Sequence, residues 1–99
     1  GDRDTAAVRM GLERYGPFFC ERAEHAGLPV VRVEAGPQVW QSGDGEPVAV
    51  LTGSAFDLLR AFSGRRSAAQ ILSMDWTGDA EPYVSVVSPY GLPLEDVSE

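Results

Sequence analysis

Lysine is absent from this chain of 99 residues: its eight basic residues are all arginine, against fifteen acids, for a net charge of −7. That balance argues against unaided nucleic-acid binding, since phosphate affinity comes from clustered positive charge. An anionic membrane surface is disfavoured for the same reason. The arginine-only usage fits the coding bias of a high-GC, actinobacterium-like genome. Cys20 is the single cysteine, so an internal disulfide is excluded, and its neighbours Phe18 and Phe19 mark it as a buried, inert thiol. With His25 the single histidine, the chain lacks the ligands for a zinc site of usual composition. No apolar run approaches the roughly 18 residues of a membrane span, and no charged-then-apolar leader stands at the start. The expected compartment is therefore the cytoplasm. The chain begins at Gly1 rather than Met, which reads as a piece of something longer.

Hydrophobic content of 43% and charged content of 23% are ordinary for one globular domain with its own core. From Thr5 to Ala26 the apolar residues Val8, Leu12, Tyr15, Phe19 and Ala26, with Arg22 and Ala23 filling the gap, mark one face at steps of three and four, which predicts an amphipathic helix. Asp4 or Thr5 can cap it and Gly27 can end it. Pro17 deletes one helical hydrogen bond, so a kink is expected there, with the stripe continuing in phase. Residues 29–35, 38–41 and 47–52 alternate in polarity and are separated by Gly36-Pro37 and by Ser42 to Glu46. They predict three strands in an antiparallel meander.

Ser54 with Asp57 three residues on opens a second helix, to Phe62, with Phe56, Leu58, Leu59 and Phe62 as its expected buried stripe and Gly64 as its stop. Residues 67–70 can add one turn, 71–77 alternate as a fourth strand, and 80–88 carry a last helix. Residues 89–99 hold two prolines and no period, and read as an extended tail after a domain spanning 1–88. The fold class is thus α+β, an antiparallel sheet of about four to five strands covered by helices.

Catalytic equipment is sparse. His25 sits two residues from a helix end, where a positive charge suits the dipole, and no partner is positioned for acid–base work. Gly43-Asp44-Gly45 reads as a hairpin turn rather than a phosphate loop. The carboxylates Asp44, Glu46, Glu95, Asp96 and Glu99 fall in loops or the tail, as solvated charges do. No residue qualifies as catalytic or as a metal ligand. Trp40, Phe56, Trp76 and Tyr83 are the candidates for lining an apolar pocket, a role that competes with simple core packing. Arg65 and Arg66, just past the Gly64 stop, either neutralise the helix carbonyl end or reach a carboxylate on a substrate or partner.

The order of a strand ending in Thr52-Gly53, the helix Ser54-Ala55-Phe56-Asp57-Leu58-Leu59-Arg60-Ala61-Phe62, the turn Ser63-Gly64-Arg65-Arg66-Ser67-Ala68-Ala69, and a strand running into Gly78-Asp79 is similar to the C-terminal domain of the mycothiol-dependent maleylpyruvate isomerase family. Ala26-Gly27-Leu28-Pro29-Val30-Val31-Arg32-Val33 and Pro89-Tyr90-Gly91-Leu92-Pro93 fit the same pattern. The resemblance implies a sterol-carrier-protein-2-like fold. It also implies a partner: an N-terminal DinB-like helical bundle, absent from this sequence, that holds a divalent metal and works with mycothiol. The C-terminal domain of that family packs on the bundle and can contribute an arginine towards its site. On this reading the chain alone has no cofactor and no isomerase or thiol-transferase activity, and serves as an accessory domain. The alternative is a freestanding carrier of a small apolar ligand or lipid, which would enclose an apolar cavity.

Overall fold

A computed structural model describes residues 5–88; the tail expected over 89–99 and the alternative cap Asp4 lie outside the described residues. Helix α1 runs Ala6–His25, opened by the Thr5 hydroxyl, which accepts from the Val8 amide at 3.2 Å. It continues through Pro17 as one helix. Its buried line is Leu12, Gly16, Phe19, Cys20 and Ala23. Gly16 is the member that an apolar pattern cannot mark, having no side chain. Gly27, at φ 74, ends the helix as expected, while Ala26 falls outside the buried line as the exposed C-cap.

The sheet contains β1 (Val31–Ala35), β2 (Gln38–Gln41), β3 (Ala49–Thr52) and β4 (Asp75–Thr77), in the spatial order β2-β1-β3-β4. The fold class is α+β, as the sequence implies. The expected meander, however, is not what forms. β1 pairs antiparallel with β2 but parallel with β3, and β3 pairs antiparallel with β4, so the sheet is mixed.

The physical reason lies in the loop after β2. The Ser42 amide donates to the Val31 carbonyl at 2.9 Å, and the Ser42 hydroxyl accepts from the Val31 amide at 2.9 Å. The Val48 amide then donates to the Val30 carbonyl at 2.8 Å. These bonds carry the chain around the start of β1 and restart it on the far side. A parallel pair needs a connection of a dozen or more residues. Residues 36–48, including β2 itself, supply it, so neither short turn has to.

Opposed residues share a face. Val31, Val33 and Ala35 are fully buried together with Ala49 and Leu51, while Arg32, Glu34, Val50 and Thr52 turn to the other, half-exposed face. One register row crosses all four strands on the covered face: Trp40, Val33, Leu51 and Trp76.

Helix α2 (Ala55–Phe62) is capped by Ser54, whose hydroxyl accepts from the Asp57 amide at 3.1 Å. Of the expected stripe it buries Leu58 and Phe62, together with Ala55 and Ala61, whereas Phe56 and Leu59 are only half-buried. Phe62 stacks on Phe19 of α1 with centroids 5.0 Å apart, and this α1–α2 contact turns Leu58 inward.

Helix α3 (Ala68–Leu72) starts with a capping box in which the Ser67 hydroxyl accepts from the Gln70 amide at 3.2 Å and the Gln70 side-chain oxygen accepts from the Ser67 amide at 2.9 Å. The helix carries through Ile71 and Leu72, which shortens the strand expected over 71–77 to Asp75–Thr77. Helix α4 is likewise a short Glu81–Val84 rather than 80–88. Among the described residues no helix is long and apolar enough to cross a membrane.

Full burial of Leu58 against half-burial of Leu59 makes a direct comparison informative. Leu58→Ala should cost about 2–5 kcal/mol through the cavity it leaves, and Leu59→Ala distinctly less. Reversible urea denaturation of both variants measures this, and an equal or larger loss at Leu59 would mean the buried face of α2 is misassigned.

Candidate functional site

The turn after α2 is built by backbone bonds. The Arg65 amide donates to the Arg60 carbonyl at 2.8 Å and the Gly64 amide to the Ala61 carbonyl at 3.2 Å. With Gly64 at φ 83 this is the paired closure that ends a helix on a left-handed residue, a conformation glycine adopts without steric cost. The closure brings the backbones of Arg60 and Arg65 together, and Arg66 follows, its guanidinium donating to the Arg65 carbonyl at 2.7 Å.

Arg60 is the residue sequence reading missed. Its guanidinium lies 5.6 Å from the centroid of the Phe56 ring, a cation–π distance. Burial first, then the charges of Arg65 and Arg66, lower its pKa from the ordinary arginine value. The helix closure thus brings three arginines to one elbow of a chain whose net charge is −7. Beside them lies an open cleft of about 320 Å³ lined by Asp57, Arg66, Gln70, Ser73 and Met74. Arg65 is exposed and Arg66 half-buried. The signal for Arg60 was present in the sequence as a basic residue in the last turn, five positions before Arg65 across a glycine stop.

The aromatic candidates are distributed differently. Trp40 and Trp76 stand at opposite ends of the register row, three strand spacings or roughly 14 Å apart. Between them Val33 and Leu51 are fully buried. Trp76 and Tyr83 do meet, with ring centroids 6.1 Å apart. The Trp76 indole donates to the Ile71 carbonyl at 2.8 Å, and the Tyr83 hydroxyl donates to the Pro29 carbonyl at 2.8 Å. Phe56 lies half-buried on α2 under Arg60. The four thus close the margins of a filled core rather than line one shared space.

Two exposed apolar residues, Met10 and Phe18, lie two turns apart on the outer side of α1, at 73% and 43% exposure. His25 is exposed in the last turn of the same helix. Among the described residues no group of three histidine, cysteine or carboxylate side chains is placed to hold a metal ion.

Burial pushes the Cys20 thiol from 9.0 up to about 11. A raised folded-state pKa means the native state holds this proton more tightly than the unfolded chain does. Its contribution is complete below pH 9 and is lost as pH rises towards 11. Over that window the stability of the wild-type chain should fall more steeply with pH than that of Cys20→Ala, by up to about 1.4 kcal/mol per pH unit. Burial, with Asp79 second, also raises the Tyr83 pKa, and the comparison of variants cancels that common slope. Urea midpoints across this range provide the measurement; parallel slopes would contradict the burial of the thiol.

Comparison with known proteins finds no family model, no curated protein and no solved structure that matches this chain.

Proposed function

We propose that this domain is a non-catalytic accessory module of the maleylpyruvate isomerase type, with sterol-carrier-protein-2-like architecture. It packs on a helical metal-binding partner domain and offers the Arg60–Arg65–Arg66 elbow to a carboxylate there. The observation that carries the reading is the helix closure that brings Arg60, Arg65 and Arg66 to one elbow of an acidic chain. Arginine suits the role because its planar fork holds a carboxylate through two parallel bonds. The exposed Met10 and Phe18 on α1 support a docking role. On this reading the partner supplies the divalent metal and mycothiol, and the module works in the cytoplasm.

The filled row between sheet and helices gives no support to a carrier that encloses a small apolar ligand. Nor do the residues at the elbow supply a nucleophile with a positioned base, which an independent enzyme would need.

Arg65→Ala and Arg66→Ala, made singly, test the elbow. In the isolated domain the unfolding free energy should shift by less than about 1 kcal/mol, as exposed charges do. Calorimetric titration with a metal-loaded, mycothiol-dependent helical bundle should show at least one variant binding about tenfold more weakly or worse. A stability loss well above about 1 kcal/mol in both variants, with the affinity of the still-folded domain for the bundle unchanged, would make these arginines structural caps.

A further inference from the structure

Helix α1 turns one continuous exposed face away from both the sheet and α2. Met10, Arg14, Phe18, Glu21 and His25 follow each other at steps of three or four residues, so they share one side of the helix. All five are exposed, and they stand opposite the buried line through Leu12, Gly16, Phe19 and Ala23. Along the second half of this face runs an open groove of about 510 Å³, whose apolar surface comes from Phe18, Ala26 and Val86. We infer that a second copy of this chain covers the face, the two α1 helices packing antiparallel about a two-fold axis between Pro17 and Phe18.

Charge names the occupant. Arg14 and Glu21 lie seven residues apart, or roughly 10.5 Å along the helix, too far to pair within one chain. Among the described residues neither side chain has a hydrogen-bond or ion-pair partner. Arg22, the nearest base to Glu21, donates instead to the carbonyls of Val86 and Ser88, at 3.2 and 3.4 Å. The antiparallel copy sets Arg14 of each chain against Glu21 of the other, so the same ion pair forms on both sides of the axis. A parallel copy would set arginine against arginine and glutamate against glutamate, which costs energy at both places.

Shape agrees with charge. The same register sets Met10 of one copy against His25 of the other, at the groove. Methionine is unbranched and adaptable, which suits it to filling an open apolar recess. At the axis Phe18 meets Pro17 of the other copy; both are exposed, and α1 runs through Pro17 as one helix. Every contact therefore occurs twice, as an isologous interface requires. One helix of 20 residues, about 30 Å long, makes a small interface of the weak, reversible class. In the isolated chain the copy takes the side of α1 that the reading above gives to a helical partner, and such a partner competes with it. The inference does not rest on that reading, whose elbow lies at the end of α2.

Sedimentation equilibrium of the full chain, at concentrations up to about 1 mM, tests the interface. A salt concentration of about 0.15 M screens the long-range repulsion between two chains of net charge −7 and spares pairs in contact. A reversible monomer–dimer equilibrium is expected. Arg14→Glu alone, or Glu21→Arg alone, places like charges together on both sides of the axis and should weaken dimerisation at least about tenfold. Both positions are exposed, so circular dichroism should stay unchanged. An equimolar mixture of the two variants restores an opposite-charge pair on each side, and its mixed dimer should recover to within about threefold of the wild-type affinity. Met10→Ser should also weaken the dimer. A chain that stays monomeric throughout, single reversals without effect, or a mixture that does not recover would overturn the inference. None of these results bears on the arginine elbow, which is read by binding to the bundle.

Discussion

A helix backbone laid against an indole ring is the contact on which this structure turns. Gly16 of α1 approaches Trp40 of β2 so closely that no β-carbon fits between them. From that contact the rest of the layer follows. Trp40 opens the row that passes through Val33 and Leu51 to Trp76, and those four residues give the sheet its covered face. At the turn from β1 to β2, Arg9 donates to the Ala35 carbonyl at 3.2 Å and to the Gln38 side chain at 2.9 Å, tying the first half of α1 to the same two strands. On its other flank α1 receives α2 through the Phe19–Phe62 stack. The result is a helix wedged between an edge strand and a second helix, with both sides set by residue size.

Much of this was legible in the sequence because it depends on local signals. The α1 cap at Thr5, the stops at Gly27 and Gly64 and the Ser54 cap are side-chain or backbone preferences that act within a few residues, and each stands where its chemistry points. Strand positions follow from alternation for the same reason. The partner of a strand is another matter. Residues 47–52 alternate equally well beside β1 or beside β2. The Ser42 and Val48 bonds that decide between them join residues too far apart in the chain for spacing to reveal. The stripe of α2 was drawn too wide, to include Phe56 and Leu59, because apolar spacing alone does not say which flank a partner helix covers; the stack on Phe19 orients the helix through Phe62.

Site residues divide in the same way. Arg65 and Arg66 were visible as a basic pair after a glycine stop, and the closure of that stop adds Arg60. The tryptophans were visible as large aromatic residues, but their places at opposite sheet margins depend on strand order. Three of the eight arginines meet where Gly64 closes the end of α2, and the others are spread over the rest of the chain.

The close approach of α1 to β2 is open to a decisive substitution. Alanine is a better helix former than glycine by roughly 0.5–1 kcal/mol, so Gly→Ala within a helix stabilises wherever space allows. Gly11, whose added methyl would meet only the flexible end of Leu59 at 3.2 Å, serves as the internal control. Equilibrium denaturation of Gly16→Ala and Gly11→Ala tests the account most directly. The expected result is a loss of about 1–3 kcal/mol at Gly16, from overpacking against the ring, and little change at Gly11. A Gly16→Ala chain as stable as the wild type, or more so, would contradict the claim that the helix backbone rests on Trp40.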